Sequence, residues 1–301
     1  MKEALRSIKI HWQLYLLFFI PLSLILIFSY GPMYGVIIAF KDYVASKGIW
    51  GSPWAGLKHF ENFIGSYQFY RLISNTLGIS LYTLAAGFPI PILFAIMLNE
   101  STLTRFKKSL QMVSYAPYFI STVVMVSIVM MFLSPRTGII NNIIDLLGGT
   151  RIDFMGKAEY FKSLYVWSGI WQTMGYNSVI YIAALAGIDP SLHEAARTDG
   201  ASKLQKIWHI DLPGIFPTIM ILLILNCGQL MNIGYEKIFL MQNSLNLGAS
   251  DVISTFVYRI GLVNSQYSFS TAVGLFNSVI NALLLVIVNK IAKKYSETSL
   301  W

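Results

Sequence analysis

Charge divides this chain more sharply than any other property. Six windows contain no Asp, Glu, Lys or Arg: Lys9 to Lys41, Arg71 to Glu100, Lys108 to Arg136, Lys162 to Asp189, Asp211 to Glu236, and Arg259 to Lys290. Each can hold the roughly 20 apolar residues that cross about 30 Å of hydrocarbon. A charge at mid-bilayer costs about 2.5 to 3.5 kcal/mol on insertion scales, which accounts for windows this clean. The pattern predicts an all-α, polytopic membrane protein with six transmembrane helices, near 13–33, 74–98, 110–133, 164–187, 215–235 and 268–290. Pro21, Pro89 and Pro91 fall within spans, where neighbouring helices can satisfy the freed carbonyls. No repeat, low-complexity tract or linker interrupts the series, so residues 1–301 read as a single transmembrane domain.

Composition agrees. Of 301 residues, 55% are hydrophobic and only 12% charged, about half the charged share of a soluble domain. The net charge of +8 does not point to nucleic acid, because the basic residues cluster at segment ends with no basic face interleaved with aromatics. It points to topology. Lys2, Arg6 and Lys9 precede the first span, and Lys290, Lys293 and Lys294 follow the last. Between them, Arg105, Lys107 and Lys108, then Arg197, Lys203 and Lys206, lie in the even-numbered connections. The positive-inside rule puts these segments and both termini in the cytoplasm. The first window is longer than a signal-peptide core and lacks a cleavage site, so it reads as a retained span. Cys227 has no partner for an internal disulfide, and His11, His59, His193 and His209 show no metal-ligand spacing.

The connection between the fourth and fifth spans, residues 189–213, is well-ordered polar sequence. Asp189-Pro190 opens it as a helix start should, with a capping side chain and a proline that forfeits no hydrogen bond. Leu192, Ala195 and Ala196 share one predicted face. Gly200 stands where a helix stops. A second short helix is expected from Ser202, with Leu204, Ile207, Trp208 and Ile210 apolar, and Pro213 is expected to end it.

Glu194, Ala195, Ala196, then Gly200, then Ile210, Leu212 and Pro213 match at every spacing the EAA loop of ABC importer permeases, and Asp199 and Ala201 match its fuller form. The chain resembles that family, type I. The resemblance implies that these nine residues form a short cytoplasmic coupling helix and turn that dock on a separate ATP-hydrolysing subunit. It implies two copies of that ATPase, a second, related permease subunit, and an extracytoplasmic solute-binding protein. It also implies that ATP and Mg belong to the ATPase, with no cofactor bound by this chain and no enzymatic activity of its own. Further upstream, YGVIIAF and KDYVASKGIWGSPWAGLKHFENF resemble the start of permeases for oligosaccharides and plant polysaccharide fragments. An oligosaccharide, uronate-bearing in one version, is therefore the expected substrate. A permease for a non-sugar solute is the alternative, and a secondary carrier the weaker one.

Other chemistry is hard to find. Gly156-Lys157-Ala158 is no P-loop, because Arg151 stands where the upstream glycine should be and Ala158 lacks a metal-binding hydroxyl. The predicted spans hold no carboxylate, the usual proton relay of secondary carriers. What remains is neutral: Tyr115, Trp171, Gln172, Tyr176, Asn177, Tyr181, Asn226, Gln229, Asn232 and Asn277. Amides pair with hydroxyls and rings stack on pyranose faces, so these ten are candidate substrate-path residues. The same side chains also serve as glue between spans. Outside the membrane, a short helix is expected over Ile139–Leu147 and a helical pattern around Val252–Ile260.

Overall fold

The computed structural model describes residues 10–296. Lys2, Arg6 and Lys9, which orient the N-terminus, lie outside the described residues. Within them every regular element is helical, apart from one isolated antiparallel bridge between Lys41 and Trp54. In chain order the main helices are α1 (Trp12–Phe40), α2 (Lys58–Ile64), α3 (Phe69–Glu100), α4 (Thr104–Phe119), α5 (Thr122–Leu133), α6 (Ile139–Leu146), α7 (Ala158–Ala186), α8 (Pro190–Thr198), α9 (Lys203–Gly228), α10 (Tyr235–Met241), α11 (Ile253–Val263) and α12 (Tyr267–Ser296).

Helices α1, α3, α9 and α12 are long and apolar enough to cross a membrane. The predicted third span is two helices, α4 and α5, bent by 103°. The break has a local cause: Pro117 brings no N–H, and the Ser121 hydroxyl accepts the Val124 amide at 3.4 Å, starting a new helix. The predicted fourth span lies within α7, whose 29 residues reach about 44 Å. The predicted fifth span, 215–235, is displaced: α9 begins at Lys203 and stops at Gly228, leaving Gln229–Gly234 outside it. Pro213 does not end a helix as expected. The backbone widens into a π-type turn over Ile207–Asp211 and runs on through Leu212 and Pro213. Such a turn shifts the donors and acceptors, so that a proline without an amide is absorbed and not expelled.

The chain forms two compact units, one gathering residues up to Ser66 with Val257–Phe276, the other Tyr67–Phe256 with the residues from Asn277 onward. In the first, α1 exposes apolar side chains all round, Phe18 and Phe28 among them, as a helix facing lipid does. Phe63 of α2 is fully buried, edge-on to Phe276 at 5.4 Å between ring centres. The Tyr43 amide donates to Ser268 Oγ at 2.8 Å. Asp42 receives Lys58 Nζ at 2.9 Å and faces His59 Nε2 at 3.2 Å. The Lys58 bond holds the Asp42 carboxyl below its ordinary value. A cavity of about 470 Å³ opens beside them, lined by Asp42, Tyr43, His59, Asn62, Gln266 and Tyr267 among others.

In the second unit α7 is shared by two apolar clusters. One joins Phe161 of α7 to Ile79, Met125, Val126, Ile238 and Met241. The other joins Tyr181 and Leu185 of α7 to Ile92, Ala95 and Ile96 of α3 and Ile215 of α9. Polar crosslinks flank the first cluster. Arg71 Nη2 meets the fully buried Asp251 at 3.1 Å, and Asn75 Nδ2 donates to the carbonyls of Gly248 and Asp251. Asn246 Nδ2 donates to the carbonyls of Met155 and Met241. The expected short helix at 139–147 is α6, and the pattern around 252–260 is α11.

Candidate functional site

The 189–213 loop folds as a knuckle closed by its own backbone. The Asp189 carboxylate accepts the Ser191 amide at 2.9 Å, and that backbone donor pulls its pKa below the ordinary value. Pro190 sits at the first helical position of α8. At the other end Gly200 takes φ +72°, so its N–H reaches the Arg197 carbonyl while the Ala201 N–H reaches that of Ala196. Those two bonds are the Schellman closure that glycine permits. Ser202 then opens α9 with a reciprocal cap: its amide donates to Gln205 Oε1 at 2.8 Å, and its hydroxyl accepts the Gln205 amide at 3.4 Å. A cavity of about 320 Å³ lies between the two helices, lined by Ala196, Asp199, Gly200, Ala201, Gln205, Lys206, His209 and Ile210.

The face of α8 turned inward is not the one its apolar residues suggest. His193 and Ala196 are half-buried, whereas Leu192 is 51% exposed and Glu194 and Ala195 face outward. Asp199, Gly200 and Pro213 are exposed as well, with Ala201, Ile210 and Leu212 half-buried. The motif residues on α8 and its turn thus mostly present themselves to solvent, which suits a docking surface better than a core.

The candidate path residues divide into several places. Near the α4–α5 break, Tyr176 stacks flat on Tyr118 with ring centres 3.8 Å apart, and Gln172 Nε2 donates to the Ile120 carbonyl at 2.9 Å. Tyr118 and Tyr176 remain 40% and 45% exposed. Trp171 and Asn177 are exposed on the same helix, and Tyr115 is half-buried on α4. Tyr181 is buried in the α3–α7–α9 cluster. At the far end of α9, Asn226 Nδ2 bonds its own helix at the Leu222 carbonyl, and Asn232 Nδ2 donates to Gln229 Oε1. Asn277 is half-buried on α12, and its side-chain carbonyl has no hydrogen-bond partner among the described residues. Among the described residues no hydrogen bond joins the α4–α7 group to the amides of 226–232.

Three features escape the pattern of charges and apolar runs. Tyr118 completes the aromatic stack, although nothing in the sequence marks its partner across 58 positions. Lys237 on α10 donates to the Tyr165 carbonyl of α7 at 2.7 Å and lies 4.5 Å from the Tyr165 ring centre. A Cβ at Gly169 would come within 2.9 Å of its ammonium, so the glycine is what admits it. Burial pushes this amine down to about 7. The third is Asp211, which is fully buried with His193 Nε2 at 3.6 Å.

Comparison with known proteins gives a consistent result. Residues 87–297 match the family described as "Binding-protein-dependent transport system inner membrane component". The chain is 42% identical to Protein LplB of Bacillus subtilis (strain 168) over 288 residues, 96% of this chain and 91% of that one. It is 41% identical over 276 residues to the polygalacturonan/rhamnogalacturonan transport system permease protein YteP of the same organism, 92% of this chain and 86% of that one. Among solved structures it resembles a chain of a bacterial ABC transporter involved in the import of the acidic polysaccharide alginate. There the TM-score is 0.90 at 38% identity, covering 98% of this chain and 99% of that one. The same likeness holds for that transporter in complex with an alginate pentasaccharide-bound periplasmic protein.

Proposed function

Because this chain belongs to the family of inner membrane components of binding-protein-dependent transport systems, we propose that it forms half of the translocation path of an ABC importer for uronate-bearing oligosaccharides. The observation that carries the reading is likeness along nearly the whole chain to the alginate transporter subunit and to the polygalacturonan/rhamnogalacturonan permease. The chemistry of the second unit is compatible with an acidic cargo: Lys162 and Lys237 both lie against helices of that unit, and neither forms an ion pair among the described residues.

In this reading six spans cross the cytoplasmic membrane with both termini inside, α7 counting as the fourth and the α4–α5 pair as the third. The partners are a second, different permease, two ATPase copies and an extracytoplasmic binding protein. ATP and Mg are handled by the ATPase. Glu194, Ala195, Ala196, Asp199, Gly200, Ala201, Ile210, Leu212 and Pro213 make the coupling surface. ATP draws the ATPases together, the knuckle follows, and the outward-facing state is favoured because ATP binds it differentially; equal binding to both states would shift nothing. The stacked Tyr118 and Tyr176 with Trp171, Gln172 and the amides of 226–232 offer rings and donors to the sugar.

The test is a gentle-detergent pull-down of the tagged chain from its native membrane, followed by uptake in vesicles made from the recovered complex. An ATPase, a second permease and ATP-dependent uptake of labelled oligogalacturonide in preference to a neutral oligosaccharide are expected. Recovery of this chain alone, under conditions where other complexes survive the detergent, would sink the ABC assignment. Preferential uptake of the neutral sugar would sink the acidic one.

A further inference from the structure

Asp211 is the most anomalous side chain of the second unit. It lies in the π-type turn at the foot of α9, 0% exposed, and neither carboxylate oxygen has a hydrogen-bond partner among the described residues. Its neighbours along the chain, Ile207, Leu212 and the buried Ile215, belong to the apolar cluster that joins α3, α7 and α9. A carboxylate in such a place cannot stay ionised without a cation at hand. The cation-capable group that reaches it is His193, whose Nε2 stands 3.6 Å from Oδ1. The other charged groups that bear on it are Glu100 at the end of α3 and Lys206, five residues earlier on α9.

His193 is one of two residues that α8 turns inward, Ala196 being the other. The pair therefore spans the turn at Gly200 and links α8 directly to the foot of α9. The gap is also informative. At 3.6 Å it is an ion-pair distance, longer than the roughly 2.7–3.2 Å of a hydrogen bond. An approach of about half an ångström would add a charge-assisted bond that the present separation lacks. The energy of the pair thus responds to an approach of α8 toward the foot of α9.

We propose that His193 and Asp211 are positioning residues that form a charge latch between α8 and α9, so that displacement of the knuckle is passed to the foot of the spanning helix and not absorbed at the Gly200 turn. The proposal rests on the reading of α8 as the element that receives the ATPase stroke. Without the latch, α8 would hinge about the turn and ATP would be hydrolysed with little transport.

The experiment uses the complete complex, with both permeases, the ATPase and the binding protein, in proteoliposomes. Substrate taken up per ATP hydrolysed is measured for the parent, Asp211→Asn, His193→Gln, His193→Lys and the Asp211→Asn/His193→Gln double variant. Coupling free energies between sites usually correspond to about five- to 150-fold effects, so each charge-removing single variant is expected to lower the ratio about tenfold. The double variant should be no worse than the singles, because the two groups act as one unit. His193→Lys, which keeps a cation, should recover at least half of what His193→Gln loses. Co-purification of the ATPase with each variant excludes misfolding as the cause. A parental ratio in Asp211→Asn, or a Lys variant as impaired as the Gln variant, overturns the latch while leaving the transporter assignment intact. Failure of the parent complex to couple uptake to ATP overturns both.

Discussion

Gly200 offers a test in which two explanations predict opposite orders. Its φ of +72° lies in the left-handed region, and a Cβ built there would meet nothing within 4 Å. The cost of a side chain inside this subunit is therefore backbone strain alone. For alanine in that region it is about 1 kcal/mol, roughly a fivefold shift in the population of the closed turn. Asparagine enters the left-handed region several-fold more readily and should cost only a fraction of that. A β-branched valine should cost more than alanine. Strain thus orders the variants Asn, Ala, Val from mild to severe. If the open space around Gly200 is instead filled by an ATPase groove, bulk decides, and alanine becomes the mildest while asparagine is nearly as harmful as valine. The assay is ATP-driven uptake by the assembled complex, with co-eluting ATPase measured in parallel. Gly200→Val is expected to give a folded subunit with lost transport. Unimpaired uptake in that variant would refute the coupling role of the knuckle, and alanine outperforming asparagine would refute the strain argument.

Other parts of the molecule give further expectations. Arg71→Met removes one charged partner of the fully buried Asp251; breaking buried pairs costs about 3–5 kcal/mol, reduced here to about 2 because Arg71 is partly solvated and Thr255 still donates to Asp251. A loss of about 4–8 °C in thermal stability is expected, partly recovered in Arg71→Met/Asp251→Asn, and a single variant as stable as the parent contradicts the assignment. A Cβ at Gly175 of α7 would fall on the Ser114 carbonyl of α4, so Gly175→Ala should separate the two helices and cost about 1–3 kcal/mol; a melting profile indistinguishable from the parent's excludes the close crossing. Lys237 gives up its proton near 7 when folded but near about 10.4 when unfolded. Between those values the unfolded chain binds more protons, so parental stability should rise as pH is raised from about 7 to 9.5, and Lys237→Met should flatten the rise. Parallel slopes for the two proteins would rule out the buried amine as its source.

Much of this architecture is legible because lipid imposes a simple code. The charge-free windows locate α1, α3, α7, α9 and α12, since a charge cannot be hidden from hydrocarbon by local rearrangement. The knuckle is legible for a different reason: Asp189, Pro190, Gly200 and the Ser202–Gln205 cap act on the backbone within a few residues of themselves. Misreadings occur where neighbours override the local signal. Pro213 looks like a terminator, but the π-type turn before it lets the helix run on. Leu192 and Ala195 look like an inward face, but His193 and Ala196 occupy it, because a buried Asp211 eighteen residues away makes an imidazole the better neighbour. The α4–α5 break, the Tyr118–Tyr176 stack and the Lys237–Tyr165 contact are likewise decided between helices, and no periodicity within one segment reports them.

In the proposed coupling, a push at the knuckle meets the packing of the second unit. Helix α9 runs from the Ser202 cap to Gly228 as one element, with the π-type turn at Ile207–Asp211 and Pro217 inside it, so motion at its foot enters a single helix. At that foot α9 shares an apolar cluster with α3 and α7 through Ile215, Ile92, Ile96, Tyr181 and Leu185. The cluster around Phe161, Met125 and Met241 includes no residue of α9 among the described residues. Helices α3, through Ile79 and Ile92, and α7 belong to both, and twenty residues, about 30 Å of helix, separate Phe161 from Tyr181 on α7. Displacement entering through α9 can therefore reach the Phe161 cluster along α3 and along α7. Between the two clusters α7 carries Gly169, against the Lys237 ammonium, and Gly175, against the Ser114 carbonyl. Packed interiors do not deform continuously but shift between discrete arrangements. At these two points α7 lacks side-chain bulk and a polar group of α10 or α4 fills the space, so any rearrangement of α7 must carry those groups with it.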